Sequence, residues 1–209
     1  MTDENTPSPG LGGAYALEGP EDASRFYDAW AEDYDADLAE SGYATPRRCA
    51  EALAAHATLP WAPVMDLCCG TGLSGVALRE AGFECVDGFD ISEGMLEKAR
   101  EKGVYRELAV ADLSQPLDID SNIYQNAAAV GCISPEHMPP TVLDDILSKL
   151  PEGGCLVFSL NDRAAKDGTV VARLNDLIDT GAAELLFSEH GPHIPEIGLE
   201  ATVYVIRKR

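Results

Sequence analysis

The run Val64-Met-Asp-Leu-Cys-Cys-Gly-Thr-Gly-Leu-Ser-Gly75, with Asp90 following, constrains this chain more than any other stretch. An apolar segment that halts at a glycine turn and resumes as an amphipathic one is a strand entering a helix. Glycine there lets the backbone approach a ligand that a Cβ would exclude. A carboxylate at the end of the next strand can accept hydrogen bonds from both hydroxyls of a ribose. Together these parts read as a cradle for a nucleoside cofactor.

The same alternation continues down the chain. Strands are expected at 64–69, 85–90, 107–112, 127–133 and 155–160, separated by helices at 73–81, 93–102 and 141–150, with a further helix at 169–179. A βαβ series of this kind makes a parallel sheet with helices on both faces. Two last strands, 183–188 and 201–207, have no helical pattern between them and are expected to close the sheet as an antiparallel hairpin. The expected fold is therefore α/β, a Rossmann-like seven-stranded and mostly parallel sheet with an antiparallel C-terminal hairpin.

Ahead of the sheet, Phe26, Trp30, Tyr34 and Leu38 recur at steps of four, one face of a helix over 21–39. Gly42 and Pro46 interrupt it, and a second short helix is expected over 47–58, ending before Pro60. Residues 1–20, rich in glycine and proline, are expected to be a disordered tail. That leaves 21–60 as a helical segment and 61–209 as the core domain.

Charge excludes some partners. Thirty-six acids against fifteen lysines and arginines give a net charge of −21 and a pI near 4.3. Such a chain repels phosphate backbones and anionic membrane surfaces, so nucleic acid and membrane are not expected partners. There is no apolar run of about twenty residues to span a bilayer and no signal-like start, so a cytoplasmic location is expected. The six cysteines are scattered without a Cys-x-x-Cys pair and read as reduced thiols. Cys68 and Cys69 are neighbours whose side chains point to opposite faces of a strand. The His190-Gly-Pro-His193 spacing is too loose for a metal site, and no metal is expected.

Gly70, Gly72 and Gly75 formally spell a dinucleotide fingerprint, with Asp90 at the distance expected for an NAD ribose. Asp66, four residues before the first of these glycines, argues for a different ligand. An anion there does nothing for a pyrophosphate but can accept hydrogen bonds from an α-ammonium group. S-Adenosylmethionine carries such a group and no phosphate.

These residues resemble the class I S-adenosylmethionine-dependent methyltransferases, whose first motif runs acid, apolar, Gly, x, Gly, x, Gly. Asp66, Gly70 and Gly72 match, Thr71 falls within the turn, and Cys68 stands where the first glycine is usual. By that resemblance Asp90 holds the ribose, Ile91 and Met95 flank the adenine, Asp112 accepts from the adenine amino group with Leu113 beside it, and Val130 ends the fourth strand beneath the sulfonium. Phe26-Tyr-Asp-x-Trp-Ala-x-x-Tyr-Asp35, then Gly42-Tyr43 and Pro46-Arg47, are most similar to the small-molecule branch that includes the methyltransferase-like family of the Williams–Beuren region. The resemblance implies that 21–60 is a helical lid over the cofactor, with Tyr27 and Tyr34 as contacts and Arg47 as partner of the methionine carboxylate.

The expected reaction is attack of a small-molecule nucleophile on the sulfonium methyl group, with alignment and exclusion of water as the protein's main contribution. His137, beyond the fourth strand, is a candidate base, and Asn161, past the fifth, a candidate for positioning substrate. Gly131-Cys-Ile-Ser134 occupies the place where amino methylators carry Asn/Asp-Pro-Pro-aromatic, which disfavours adenine or glutamine N-methylation. An NAD(P)-dependent oxidoreductase and a non-catalytic cofactor-binding regulator are the alternatives that share the glycine turn. The acceptor and the oligomeric state have no signature in the chain.

Overall fold

The computed structural model describes residues 10, 12–13, 20–57, 59, 61–121, 123–134 and 138–209. The tail expected over 1–20 lies almost wholly outside them, as do His137, Thr58 and Pro60.

Seven strands form one sheet: β1 Val64–Leu67, β2 Val86–Asp90, β3 Glu107–Val110, β4 Asn126–Ala129, β5 Cys155–Asn161, β6 Ala183–Ile194 and β7 Leu199–Lys208. Their order is β3-β2-β1-β4-β5-β7-β6. The first five pair in parallel, and β7 runs antiparallel to both β5 and β6. The chain reverses direction across the sheet between β1 and β4, and the crevice this leaves at the strands' carboxyl ends is where an α/β sheet takes a ligand.

Side-chain alternation along β1 divides the core. Val64 packs on one face with Cys49, Leu53, Ala77 and Leu78, from helices α3 (Thr45–His56) and α4 (Leu73–Glu80). Met65 and Leu67 face the other way, against Leu143 and Ile146 of α6 (Val142–Lys149) in a core that also takes in Leu174 of α8 (Thr169–Asp179). Helix α5 (Glu93–Lys102) runs between β2 and β3. Its ends are fixed locally: Ser92 caps it by accepting from Met95 N at 3.0 Å, and Gly103 terminates it in the left-handed region at φ 63°.

Apart from shifts at element ends, the largest a β4 that stops at Ala129 where a strand over 127–133 was expected, the structure departs from the expectation in three places. The single helix expected over 21–39 is two, α1 (Pro20–Trp30) and α2 (Tyr34–Glu40), joined by a turn in which Asp33 N donates to Trp30 O at 3.1 Å. The break puts Asp35 and Asp37 in the first turn of α2, where the helix dipole favours acids, and Trp30 Nε1 donates to Asp37 Oδ2 at 2.7 Å. Phe26 and Trp30 are buried while Tyr34 stacks edge-on against Trp30, so the aromatic stripe survives the turn.

The second departure is a short helix, α7 (Asp162–Ala165), directly after β5, nucleated by Asn161 Oδ1 accepting from Arg163 N and Ala164 N. The third is β6, which runs to Ile194 instead of stopping at Ser188. Gly191-Pro192 reads as a breaker, but β6 is an edge strand next to a bulge, where a missing N–H costs no ladder bond. This extension carries His193 and Ile194 back to the sheet's carboxyl edge.

Candidate functional site

The turn after β1 is built around left-handed backbone at Cys68 (φ 53°), Gly70 (φ 54°) and Gly72 (φ 96°). A side chain at Cys68 tolerates a conformation that costs L-residues about 1 kcal/mol or more. At Gly70 a Cβ would meet no protein atom within 4 Å, so it would project into open space beside the turn. Gly70 N donates to Asp90 Oδ2 at 2.9 Å, and Ser92 N to Asp90 Oδ1 at 2.9 Å. The Ile91 backbone also helps to hold this carboxylate, and acceptor capacity remains for a ligand.

Asp66 does not reach this opening. It shares a sheet face with Val64, beneath α4, and is fully buried. Its Oδ2 accepts from Ser74 Oγ and Tyr105 OH, each at 2.7 Å, while Oδ1 has no partner. Burial pushes its carboxyl up to about 7, opposed by the two hydroxyls. Asp66 therefore braces the turn from below through α4. Gly75 serves the same brace: its N–H donates to Tyr105 OH at 3.0 Å, and a Cβ there would lie 2.3 Å from the Tyr105 ring. The third glycine of the fingerprint makes room for a tyrosine.

Above the turn sits a cavity of about 380 Å³. One end is walled by Asp90, Ile91, Met95, Asp112, Leu113 and Ser114, with Asp112 Oδ1 accepting from Ser114 N at 2.8 Å. Cys68, Gly70 and the Val130–Ser134 segment form its floor, and Ala23, Tyr27, Trp30, Tyr34 and Leu38 of α1 and α2 form its roof. The far end holds Tyr43, Met138, Asn161, Arg163, Ala164, His193 and Ile194.

Acids on α1 and α2 fasten the roof. Asp28 Oδ1 accepts from Ser92 Oγ and from Gly94 N at the start of α5, and a Cβ at Gly94 would crowd Asp28 at 3.1 Å. Asp35 takes Thr71 Oγ1 and Lys102 Nζ. Thr71 thus ties the glycine turn to the roof, and Gly72 starts α4 at its N-cap; neither lines the cavity. Removal from water holds the Tyr34 and Tyr43 hydroxyls well above their usual range, so both stay neutral.

Of the residues singled out from sequence, Tyr27, Tyr34, Gly70, Asp90, Ile91, Met95, Asp112, Leu113, Val130 and Asn161 are brought to one cavity. Arg47 is not. Its side chain is 78% exposed and its nearest acid is Glu51 at 3.9 Å, because the first turn of α3 presents it to solvent. Asn161 spends its Oδ1 on the cap of α7.

Sequence reasoning gave Tyr43 and His193 no role at the site, naming the first only within a motif and the second only in a spacing too loose for metal. His193 is 4% exposed, its Nδ1 is 2.7 Å from Thr45 Oγ1, and Tyr43 packs edge-on against the ring at 5.2 Å. Burial, then the Arg48 guanidinium, push its imidazole down to about 4. No local signal announces it, since Thr45 is 148 residues away.

Outside the cavity, Asp162, His190 and Glu200 bring metal-ligand atom types within 4.8 Å of one another on the surface. His190 directs Nε2 to Asp162 at 2.9 Å and Nδ1 towards Glu200 at 3.8 Å, an arrangement that spends the imidazole on the two carboxylates. All six cysteines are free, and no helix among the described residues is long and apolar enough to cross a membrane.

Residues 64–154 match the family described as a methyltransferase domain. Human methyltransferase-like protein 27 is 36% identical over 142 residues, which cover 65% of this chain and 57% of that protein. The 18S rRNA (guanine-N(7))-methyltransferase RID2 of Arabidopsis thaliana is 36% identical over 70 residues, 34% of this chain and 24% of that one. The chain thus spans little more than half of the human relative and about a quarter of the plant one. Among solved structures, the [4+2]-cyclase SpnF superposes with a TM-score of 0.66 at 14% identity, over 97% of this chain and 98% of that one. The magnesium protoporphyrin IX methyltransferase of Synechocystis PCC 6803, solved with bound S-adenosylmethionine, gives 0.58 at 19%, over 78% and 79%.

Proposed function

We propose that this chain, whose residues 64–154 match a methyltransferase-domain family, is a class I S-adenosylmethionine-dependent methyltransferase that moves the cofactor's methyl group to a small molecule held at the far end of the cavity. The observation that carries the reading is the continuity of that cavity. It runs from Asp112 and Asp90, past the open face of Gly70, to Tyr43 and His193 under one aromatic roof.

In this reading Asp90 accepts from the ribose hydroxyls through its spare lone pairs, and Asp112 accepts from the adenine amino group. Ile91, Met95 and Leu113 supply the apolar walls, Val130 lies beneath the sulfonium, and Tyr27 and Tyr34 close over the ligand. Gly70, Thr71 and Gly72 shape the turn, and Asp66 holds it in place through Ser74 and Tyr105. S-Adenosylmethionine supplies an already activated methyl group, so the chain's contribution is to align the acceptor and keep water out. The narrow, roofed cavity and the net charge of −21 favour a small acceptor over a polyanion such as RNA.

Fold alone does not choose the reaction, as the likeness to a cyclase illustrates. Calorimetry with S-adenosylhomocysteine and with NADH tests the cofactor half: binding of the first and not the second is expected, and the reverse overturns the reading. Incubation with labelled S-adenosylmethionine and either a small-molecule metabolite fraction or ribosomal RNA tests the acceptor class. Label in the RNA alone would overturn the small-molecule assignment.

A further inference from the structure

His193 occupies the cavity end opposite Asp112 and is held there with unusual care. Its backbone oxygen accepts from Ala44 N at 3.0 Å, and Nδ1 meets the buried hydroxyl of Thr45. Arg48, one turn along the same helix, grips Pro192 O, Ala201 O and Glu189 O, which fixes the strand that carries the ring. The imidazole is 4% exposed, yet Nε2 makes no hydrogen bond to any described residue. His193 lines the cavity, so its remaining nitrogen takes its partner from the cavity's contents, water when empty of ligand and a ligand heteroatom when filled. Leu38, Met138, Ala164 and Ile194 give this end apolar surface beside the polar Tyr43, Asn161 and Arg163, and the imidazole is uncharged at neutral pH.

We propose that His193 Nε2 is a hydrogen-bonding contact of the acceptor subsite, and that the acceptor is a small molecule with an apolar part that meets Leu38 and Ile194 and one hydroxyl or similar heteroatom presented to His193. The inference rests on the cofactor lying along Asp90 and Asp112, which leaves the Tyr43–His193 end for the acceptor. Gripping Nδ1 from behind fixes the ring plane, so the heteroatom that bonds Nε2 is held at one position relative to the methyl donor.

Phenol and toluene are suitable probes, because they share a ring and differ by one hydroxyl that can donate or accept. Their affinities are measured by NMR titration of the full chain loaded with S-adenosylhomocysteine, whose own binding is measured first by calorimetry. Failure of that first step refutes the cofactor reading; the probe comparison judges His193 separately. Phenol is expected to bind about fivefold or more tighter than toluene, the effect of one ordinary hydrogen bond. His193→Gln, whose amide nitrogen stands in for Nε2, should keep the preference. His193→Asn, which keeps a partner for Thr45 but nothing at Nε2, should abolish it. Equal affinities in the unaltered protein, binding of neither probe, or a preference that survives His193→Asn would each overturn the proposal.

Discussion

Replacing Gly75 by alanine should destabilise the protein although it improves intrinsic helix propensity. The new Cβ would sit 2.3 Å from Tyr105 Cζ and its hydroxyl oxygen, more than 1 Å inside ordinary contact. A Cβ on Gly88 would likewise come within 3.0 Å of Tyr105 Cε1, so the ring lies over two positions that only glycine leaves free. Displacing Tyr105 breaks its bonds to Asp66 Oδ2 and Gly75 N, each worth about 1 kcal/mol, and leaves a buried carboxylate with Ser74 alone, at a further cost of roughly 1–2 kcal/mol. Set against a propensity gain of about 1 kcal/mol, the expected net loss is about 2–3 kcal/mol, read as a lower urea midpoint with unchanged slope. A Tyr105→Ala background gives the decisive comparison. With the ring gone the clash disappears, and Gly75→Ala should become neutral or stabilising. An equal loss in both backgrounds would show that Gly75 answers to something other than Tyr105.

Asp90→Ala should weaken S-adenosylhomocysteine binding by about 2–3 kcal/mol in calorimetry, since it removes the ribose acceptor and frees the Gly70 and Ser92 amides it organises. Arg47→Ala should leave that affinity unchanged; a tenfold loss would place Arg47 at the ligand after all. Stability should depend on pH through two buried groups of opposite sign. His193, held near 4 against about 6.5 unfolded, contributes stability above pH 6.5 that is lost towards pH 4, at most about 3 kcal/mol. Arg48 and Asp162 are the charges acting on it. The unfolded chain binds the proton first, so His193→Gln should gain on the parent protein as pH falls through that window. Asp66, raised to about 7, does the reverse: the fold is penalised as pH rises from about 4 through 7, so Asp66→Asn should gain on the parent between pH 5 and pH 8. Denaturant midpoints across this range check both, and parallel profiles for variant and parent would refute either.

The parts of the fold legible in the chain were those fixed by neighbouring residues. Helices α5 and α8 start and stop where the pattern places them, α5 because Ser92 and Gly103 supply both signals within the segment itself. The hairpin was legible as a hairpin, but not its length, because Gly191 and Pro192 are punctuation only in a strand that must pair on both sides. The break at Ala31–Asp33 was hidden for the opposite reason: a closed turn returned Tyr34 to the face where an unbroken helix would have put it, so the period gave no warning.

The same distinction divides the cavity. Its Asp90 end is assembled from short continuous runs, 68–70, 90–95 and 112–114, each at the end of a parallel strand, so spacing along the chain carries the geometry. The opposite end takes Tyr43 from the turn before α3, Gly131 from beyond β4, Asn161 from the cap of α7 and His193 from a returning edge strand. Each is a single residue from a different part of the chain, and what relates them is packing. The Tyr43 hydroxyl lies where a Cβ on Gly131 would be 2.2 Å from it, a constraint between positions 88 residues apart that no local pattern expresses. Asp66 marks the boundary between the two regimes. Its spacing pointed to the right turn, but side-chain alternation along β1 turned the carboxylate under α4, so it shapes the site without facing it.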